Sequence, residues 1–168
     1  ITAGLVFAGV DTGSPSYAVK TESWDGTNWT EVGDLNLGRA NLGSFGTQTA
    51  AFAVGGRAPG SPAIKANVES WNGTAWTETT EANTAKTETS GSGVTTAGLA
   101  YGGESTATTE SWNGSSWTEL GDLATAGSRI SCNMGASSTA TIVPLQASPS
   151  VTTEEWNVPG ATKTLTVS

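Results

Sequence analysis

The sequence ESWDGTNWTE at residues 22–31 recurs as ESWNGTAWTE at 69–78 and as ESWNGSSWTE at 110–119. A shortened form, EEWN, stands at 154–157. The first Trp of each copy follows the previous one by 47, 41 and 44 residues. A period of this length is typical of chains built from one repeated supersecondary unit. Such arrays usually present a surface rather than a reaction centre.

The composition favours strands and turns over helices. Hydrophobic residues make up 36% of the 168-residue chain and charged residues only 13%, and Thr, Ser, Gly and Ala fill much of the rest. Thr is common in strands and Gly in tight turns, while runs of the Leu, Lys, Glu and Arg that favour helices are almost absent. We therefore expect an all-β fold with essentially no helix.

Each repeat has the pattern of four strands, in agreement with the spacing of four-stranded propeller blades. The first is a Gly-, Ser- and Thr-rich segment that suits a crowded innermost position, seen at 42–50, 91–97 and 132–140. The second is a short apolar run closed by glycine, seen at 4–9, 51–56 and 98–103. This run lacks polar alternation, which suits a strand covered on both faces. The third strand ends in Glu-Ser-Trp and the fourth begins with Trp-Thr-Glu.

The third and fourth strands are joined by strong hairpin signals, Asp-Gly in the first copy and Asn-Gly in the next two. A four-residue loop would place Trp24 directly opposite Trp29, and a two-residue loop would place the two indoles diagonally on one face. We expect these Trp residues to pack between blades, since each buries roughly 150–250 Å²; the alternative is an exposed platform for sugar rings. The predicted structural residues are Trp24, Trp29, Trp71, Trp76, Trp112, Trp117, Trp156, Gly26, Gly73 and Gly114.

We predict one domain over residues 1–168, with repeats at approximately 1–33, 42–80, 91–121 and 132–168. The fourth repeat is atypical, as terminal repeats often are: Val158-Pro159 stands in place of the turn glycine, and a last strand alternates over 162–167. The first repeat lacks an innermost strand. We expect the chain to be part of a longer polypeptide, and the missing strand to come from upstream sequence or another chain.

At these residues the chain resembles kelch-type β-propellers, which share an apolar strand ending in Gly-Gly, an aromatic residue followed by Asp or Asn, and a later Trp. It departs from the usual kelch pattern in having Trp where Tyr is common. The sequence of the repeat is also similar to the sequences of repeat arrays in structural proteins of marine bacteriophages and some environmental bacteria. The resemblance implies a propeller of about four blades, in a virion surface, tail or fibre protein or in a secreted lectin or adhesin.

The composition argues against most chemistry. The chain has no His, so it cannot form a Ser-His-Asp or Cys-His arrangement, and its one Cys, Cys132, allows no internal disulfide. Asp25, Asn72 and Asn113 could be imagined as calcium ligands, but they stand in no run of alternating Asp and Asn and are interpreted as turn residues. We expect no catalytic residue, no metal and no cofactor. The net charge of −8 disfavours nucleic acid, and no apolar stretch approaches a membrane span.

One motif is similar to an active-site sequence of enzymes. An apolar strand leads into Asp11-Thr12-Gly13, as in aspartic proteases, where two such aspartates share one proton. Alignment of the repeats puts Asp11 in a variable loop between strands, and the chain holds no second Asp-Thr-Gly. An aspartic protease that dimerises through Asp11 is therefore kept only as a remote alternative.

The variable loops are the better contact candidates, because they differ between repeats. They span 11–18, 57–66, 104–108 and 146–150, and their candidate binding residues are Asp11, Ser16, Tyr17, Arg57, Lys65, Glu104 and Gln146. The expected partners are other virion subunits, copies of the chain itself or a host surface glycan, at a virion surface or outside the cell. The recurrent Glu22, Glu69, Glu110 and Glu154 are interpreted as solvated residues that protect outer strands from foreign pairing.

Overall fold

The computed structural model describes residues 2–10, 17–60, 62–127, 139–147, 150–157 and 161–165. Within them the fold is all-β, without helix, as the composition predicts. The strands in chain order are β1 (Gly4–Phe7), β2 (Thr21–Trp24), β3 (Trp29–Glu31), β4 (Gly43–Thr47), β5 (Ala50–Val54), β6 (Val68–Trp71), β7 (Trp76–Thr79), β8 (Ser90–Val94), β9 (Ala97–Tyr101), β10 (Thr109–Trp112), β11 (Trp117–Glu119), β12 (Ala140–Ala147), β13 (Ser150–Asn157) and β14 (Ala161–Leu165).

The strands form four antiparallel sheets, one for each repeat. β1–β3, β4–β7, β8–β11 and β12–β14 each run in sequence order across their sheet, which we call sheets 1 to 4. Sheets 2 and 3 meet through their first strands, β4 and β8. Sheet 1 has no strand beyond β1 among the described residues, in line with the missing innermost strand. The described residues do not close into a barrel or a ring, so propeller geometry stays a prediction.

The Trp residues settle the hairpin register. Trp24 lies directly opposite Trp29, Trp71 opposite Trp76 and Trp112 opposite Trp117, so the loop has four residues. The indoles of each pair are 5.4 Å apart between ring centroids. In the first turn, Oδ1 of Asp25 accepts hydrogen bonds from the backbone N–H groups of Thr27 and Asn28. The following Gly26 has φ of +101°, a left-handed conformation that favours glycine.

Sheets 1, 2 and 3 pack face to face, with the Trp-bearing faces of sheets 2 and 3 each on the preceding sheet. Phe7 of sheet 1 contacts Trp76 of sheet 2 at 4.6 Å between ring centroids, and Trp76 donates its indole N–H to the hydroxyl of Thr21. In the same way Phe45 and Phe52 of sheet 2 pack on Trp117 and Trp112 of sheet 3. The core therefore lies between sheets, and a repeat alone would leave its Trp pair uncovered.

The first and fourth sheets differ from the middle two. Trp71, Trp76, Trp112 and Trp117 are buried, but Trp29 of sheet 1 is 49% exposed. In sheet 4, β14 covers most of the segment predicted to be the last strand. The side chain of Trp156, the loop residues Asp11 and Ser16, Cys132, and most of the predicted innermost strand at 132–140 lie outside the described residues.

Candidate interaction site

The linker between sheets 1 and 2 holds a buried ion pair. Arg39, fully buried, donates from one terminal nitrogen to Oε1 of Glu69 at 2.9 Å and from the other to the carbonyl oxygens of Gly55 and Asn67, both at 2.7 Å. Asn36 donates its backbone N–H and its side-chain amide to Oε2 of Glu69, at 2.7 and 2.9 Å. Glu69 in β6 is thus enclosed by donors from the preceding linker.

The next two linkers repeat this contact. The backbone N–H groups of Asn83 and Thr84 donate to Glu110 in β10, and Nζ of Lys86 lies 3.0 Å from the same carboxylate. In sheet 4, Glu154 accepts from the backbone N–H groups of Ala124 and Thr125, at 2.8 and 3.0 Å. We call these three carboxylates, with the linker donors that bind them, the linker clasps.

The prediction that these glutamates are solvated was therefore wrong for three of the four. Glu69, Glu110 and Glu154 are at most 2% exposed, whereas Glu22 in sheet 1 is exposed. A buried carboxylate needs hydrogen-bond donors or a cation. All three linkers supply N–H donors, and the first two also supply a cation. The sequence contained a signal for this role: Arg39 and Lys86 each follow an Asn by three residues at equivalent places in two linkers. The third linker has Gly127 at that place.

Burial lowers the pKa of both clasp cations. Removal from water lowers the pKa of Arg39, and the charge of Glu69 opposes that shift. The pKa of Lys86 is likewise lowered by burial and supported by Glu110. Burial of either cation without its carboxylate would therefore cost free energy, so Arg39 depends on Glu69 and Lys86 depends on Glu110.

The same linkers also bind the sheet before them. Gly9, Gly56 and Gly103, which close the apolar strands, donate their backbone N–H to the carbonyl oxygens of Arg39, Lys86 and Gly127. Arg39 thus accepts a bond from sheet 1 through its backbone and donates to sheet 2 through its side chain. Each linker fastens two consecutive sheets.

The variable loops of sheets 2 and 3 meet at the end where these linkers lie. The guanidinium of Arg57 contacts the carboxylate of Glu104 at 2.8 Å, and both side chains are partly exposed. The backbones of Arg57 and Ala40 exchange two hydrogen bonds, so the loop is tied to the linker. The backbone of Lys65 bonds to Gly56 and Lys86. Tyr17 is half-buried and pairs with Val10 across the loop of sheet 1.

Among the candidate binding residues, the structure places the side chains of Arg57 and Glu104 in contact. Tyr17, Arg57, Lys65 and Glu104 belong to the loops that follow the apolar strands of three neighbouring sheets. Gln146 was expected in a loop, but it lies in β12 opposite Val151. That strand is longer than its counterparts in other sheets and continues to Ala147, and β13 begins at Ser150, so both ends of the predicted loop at 146–150 lie in strands.

The described residues contain no cluster of three or more His, Cys, Asp or Glu side chains placed to hold a metal ion. None of them forms a helix of the length and apolarity that a membrane crossing requires. The protein-family models give no match to the chain, and neither do the curated proteins.

Proposed function

We propose that the chain is a non-catalytic structural and recognition module of a phage particle, a kelch-like β-propeller whose stacked sheets hold variable loops for a host surface or a neighbouring subunit. The propeller arrangement is supported by four consecutive antiparallel sheets and by contact between the first strands of sheets 2 and 3. The proposal of a phage origin depends on the resemblance of the repeat sequence to repeat arrays in structural proteins of marine bacteriophages.

The observation that carries the recognition role is the contrast between the repeated scaffold and the loops fixed to it. Trp pairs and linker clasps recur from sheet to sheet, while Arg57 and Glu104 differ from their counterparts and form a partly exposed ion pair between two loops. A rigid scaffold under variable loops is a common arrangement for binding. The charge of this surface is mixed, which suits polar ligands such as glycans or protein side chains.

The test is binding of the purified protein to a panel of bacterial surface glycans and to isolated virion proteins. The variant carries Tyr17→Ala and Arg57→Ala in two loops, and the matched control carries Thr74→Ala in the β6–β7 turn. Saturable binding that the loop variant loses and the control keeps would support the proposal. Equal binding by both variants, or no binding to any panel member by a folded sample, would contradict it.

A secreted bacterial lectin or adhesin is the second candidate, and one observation favours it. The indole of Trp29 is 49% exposed beside Trp24, and indole faces stack on sugar rings. For a lectin that uses this surface, Trp29→Ala should abolish glycan binding while the loop variant keeps it. The opposite pattern favours the loops.

A further inference from the structure

Within the described residues β1 has an open edge, where its counterparts in sheets 2 and 3 have a partner. β5 pairs with β4 on one side and β6 on the other, and β9 pairs with β8 and β10. Within the described residues β1 pairs only with β2. Its sequence, Gly-Leu-Val-Phe, carries no charge or proline, which are the features that usually protect an edge strand from pairing.

Two cavities lie along this edge. One of about 290 Å³ is lined by Gly4, Leu5 and Phe7 of β1 and by Ser44 and Phe45 of β4. The other, of about 300 Å³, is lined by residues 5–9 together with Asn41, Leu42 and Ser44. The space therefore lies between β1 and β4. In the stack, β4 and β8 are direct neighbours, so this is the place that an innermost strand of sheet 1 would take.

We propose that this edge is a binding site for an extended polypeptide strand rich in glycine and serine, the chemistry of β4 and β8. The chemistry follows from how innermost strands pack. A Cβ on Gly43 would come within 2.8 Å of Thr89, and a Cβ on Gly91 within 2.8 Å of the Ser44 carbonyl oxygen. A strand seated beside β4 meets the same crowding, so only small residues fit where the two backbones approach. The occupant is a strand from another repeat of this kind.

The repeat also fixes the register. In sheet 2, Gly43 lies opposite Val54 and Phe45 opposite Phe52. Phe7 and Leu5 of β1 are the counterparts of Val54 and Phe52, because Gly4 and Ala51 both pair with the first Trp of their hairpins. The bound strand therefore runs antiparallel to β1, with its first glycine opposite Phe7 and its central apolar residue opposite Leu5. Main-chain hydrogen bonds supply the affinity and the cavities select side chains.

The experiment uses a fluorescent peptide with the sequence of residues 40–50, which contains β4, and measures its anisotropy as the intact protein is added. Two further peptides carry backbone N-methyl groups, one at residues 43, 45 and 47 and the other at residues 44, 46 and 48. In an antiparallel pair, alternate N–H groups point to the same neighbour. One methylated peptide should therefore lose at least tenfold in affinity and the other should lose little.

A scrambled peptide of the same composition is the control and should not bind. The proposal is overturned if the parent peptide shows no saturable binding, if the scrambled peptide binds equally well, or if both methylated peptides behave alike. The readout is the binding of a strand peptide and does not involve glycans or the variable loops. Its result is therefore independent of the recognition role proposed above.

Discussion

Replacement of Glu69 by Gln tests whether the linker clasp is a main source of stability. The substitution keeps the shape of the side chain but removes its charge and leaves only one carbonyl oxygen as acceptor. In the wild type the carboxylate accepts from Asn36 twice and from Arg39 once, all at 2.9 Å or less. The NH2 group of the new side-chain amide would face one of these N–H donors, which would then have no acceptor. Arg39, which is fully buried, would keep its charge without a counter-ion.

Loss of one partner from a buried ion pair costs about 3–5 kcal/mol. The free energy of unfolding of most domains is roughly 5–15 kcal/mol, so this loss is a large part of it. For a chain of this size it corresponds to a fall in Tm of roughly 6–20 °C. The assay is urea unfolding followed by Trp fluorescence, with the midpoint compared at equal slope.

The chain provides its own control. Glu22 occupies the equivalent place in sheet 1 and is exposed, so Glu22→Gln should change stability by no more than about 0.5 kcal/mol. The double variant Arg39→Met with Glu69→Gln should cost less than the two single variants together, because it removes the unpaired charge. If Glu69→Gln and Glu22→Gln proved equally mild, the clasp would not carry the stability assigned to it.

Three further predictions concern other parts of the stack. Trp76→Ala should cost about 3–5 kcal/mol in thermal unfolding, while Trp29→Ala, at a position that is 49% exposed, should cost clearly less; equal costs would contradict packing between sheets. Gly98→Ala would place a Cβ 2.3 Å from the Phe45 ring and should cost about 1–3 kcal/mol, whereas Gly4→Ala meets nothing closer than 3.6 Å and should be nearly neutral in the same assay. Two turn N–H groups lower the pKa of Asp25 below its ordinary 3.8, so its contribution is present above that pH and is lost as the pH falls through the folded-state pKa. Asp25→Asn should remove this part of the acid sensitivity, measured as unfolding midpoint against pH, and an unchanged profile would refute it.

The sequence predicted most of the local structure because that structure depends on near neighbours. The Trp pairs, the Asp-Gly and Asn-Gly turns and the glycine-closed apolar strands each lie within a few residues of one another. Strand alternation and turn chemistry act over that range. The stacking of one Trp pair on the phenylalanines of the preceding sheet follows from burial of the large side chains.

The role of the recurrent glutamates could not be predicted in the same way. Glu69 is buried only because Asn36 and Arg39, more than 29 residues away in sequence, reach it from the linker. A strand pattern contains no information about such a distant donor, and the recurrence of Glu at the same place in every copy suggested a solvated residue of an outer strand. The fourth loop was mispredicted for a related reason: Val151 pairs with Gln146, and the polar turn-like composition did not reveal the long hairpin.

The linker clasp also bears on how such a chain could change over time. The second and third repeats each carry a buried carboxylate in the third strand and, after the last strand, the donors that bind the carboxylate of the next repeat. Duplication or loss of one of these repeats would therefore leave a donor set facing a carboxylate at each junction. The number of sheets can change by such events while the contacts between neighbours stay the same.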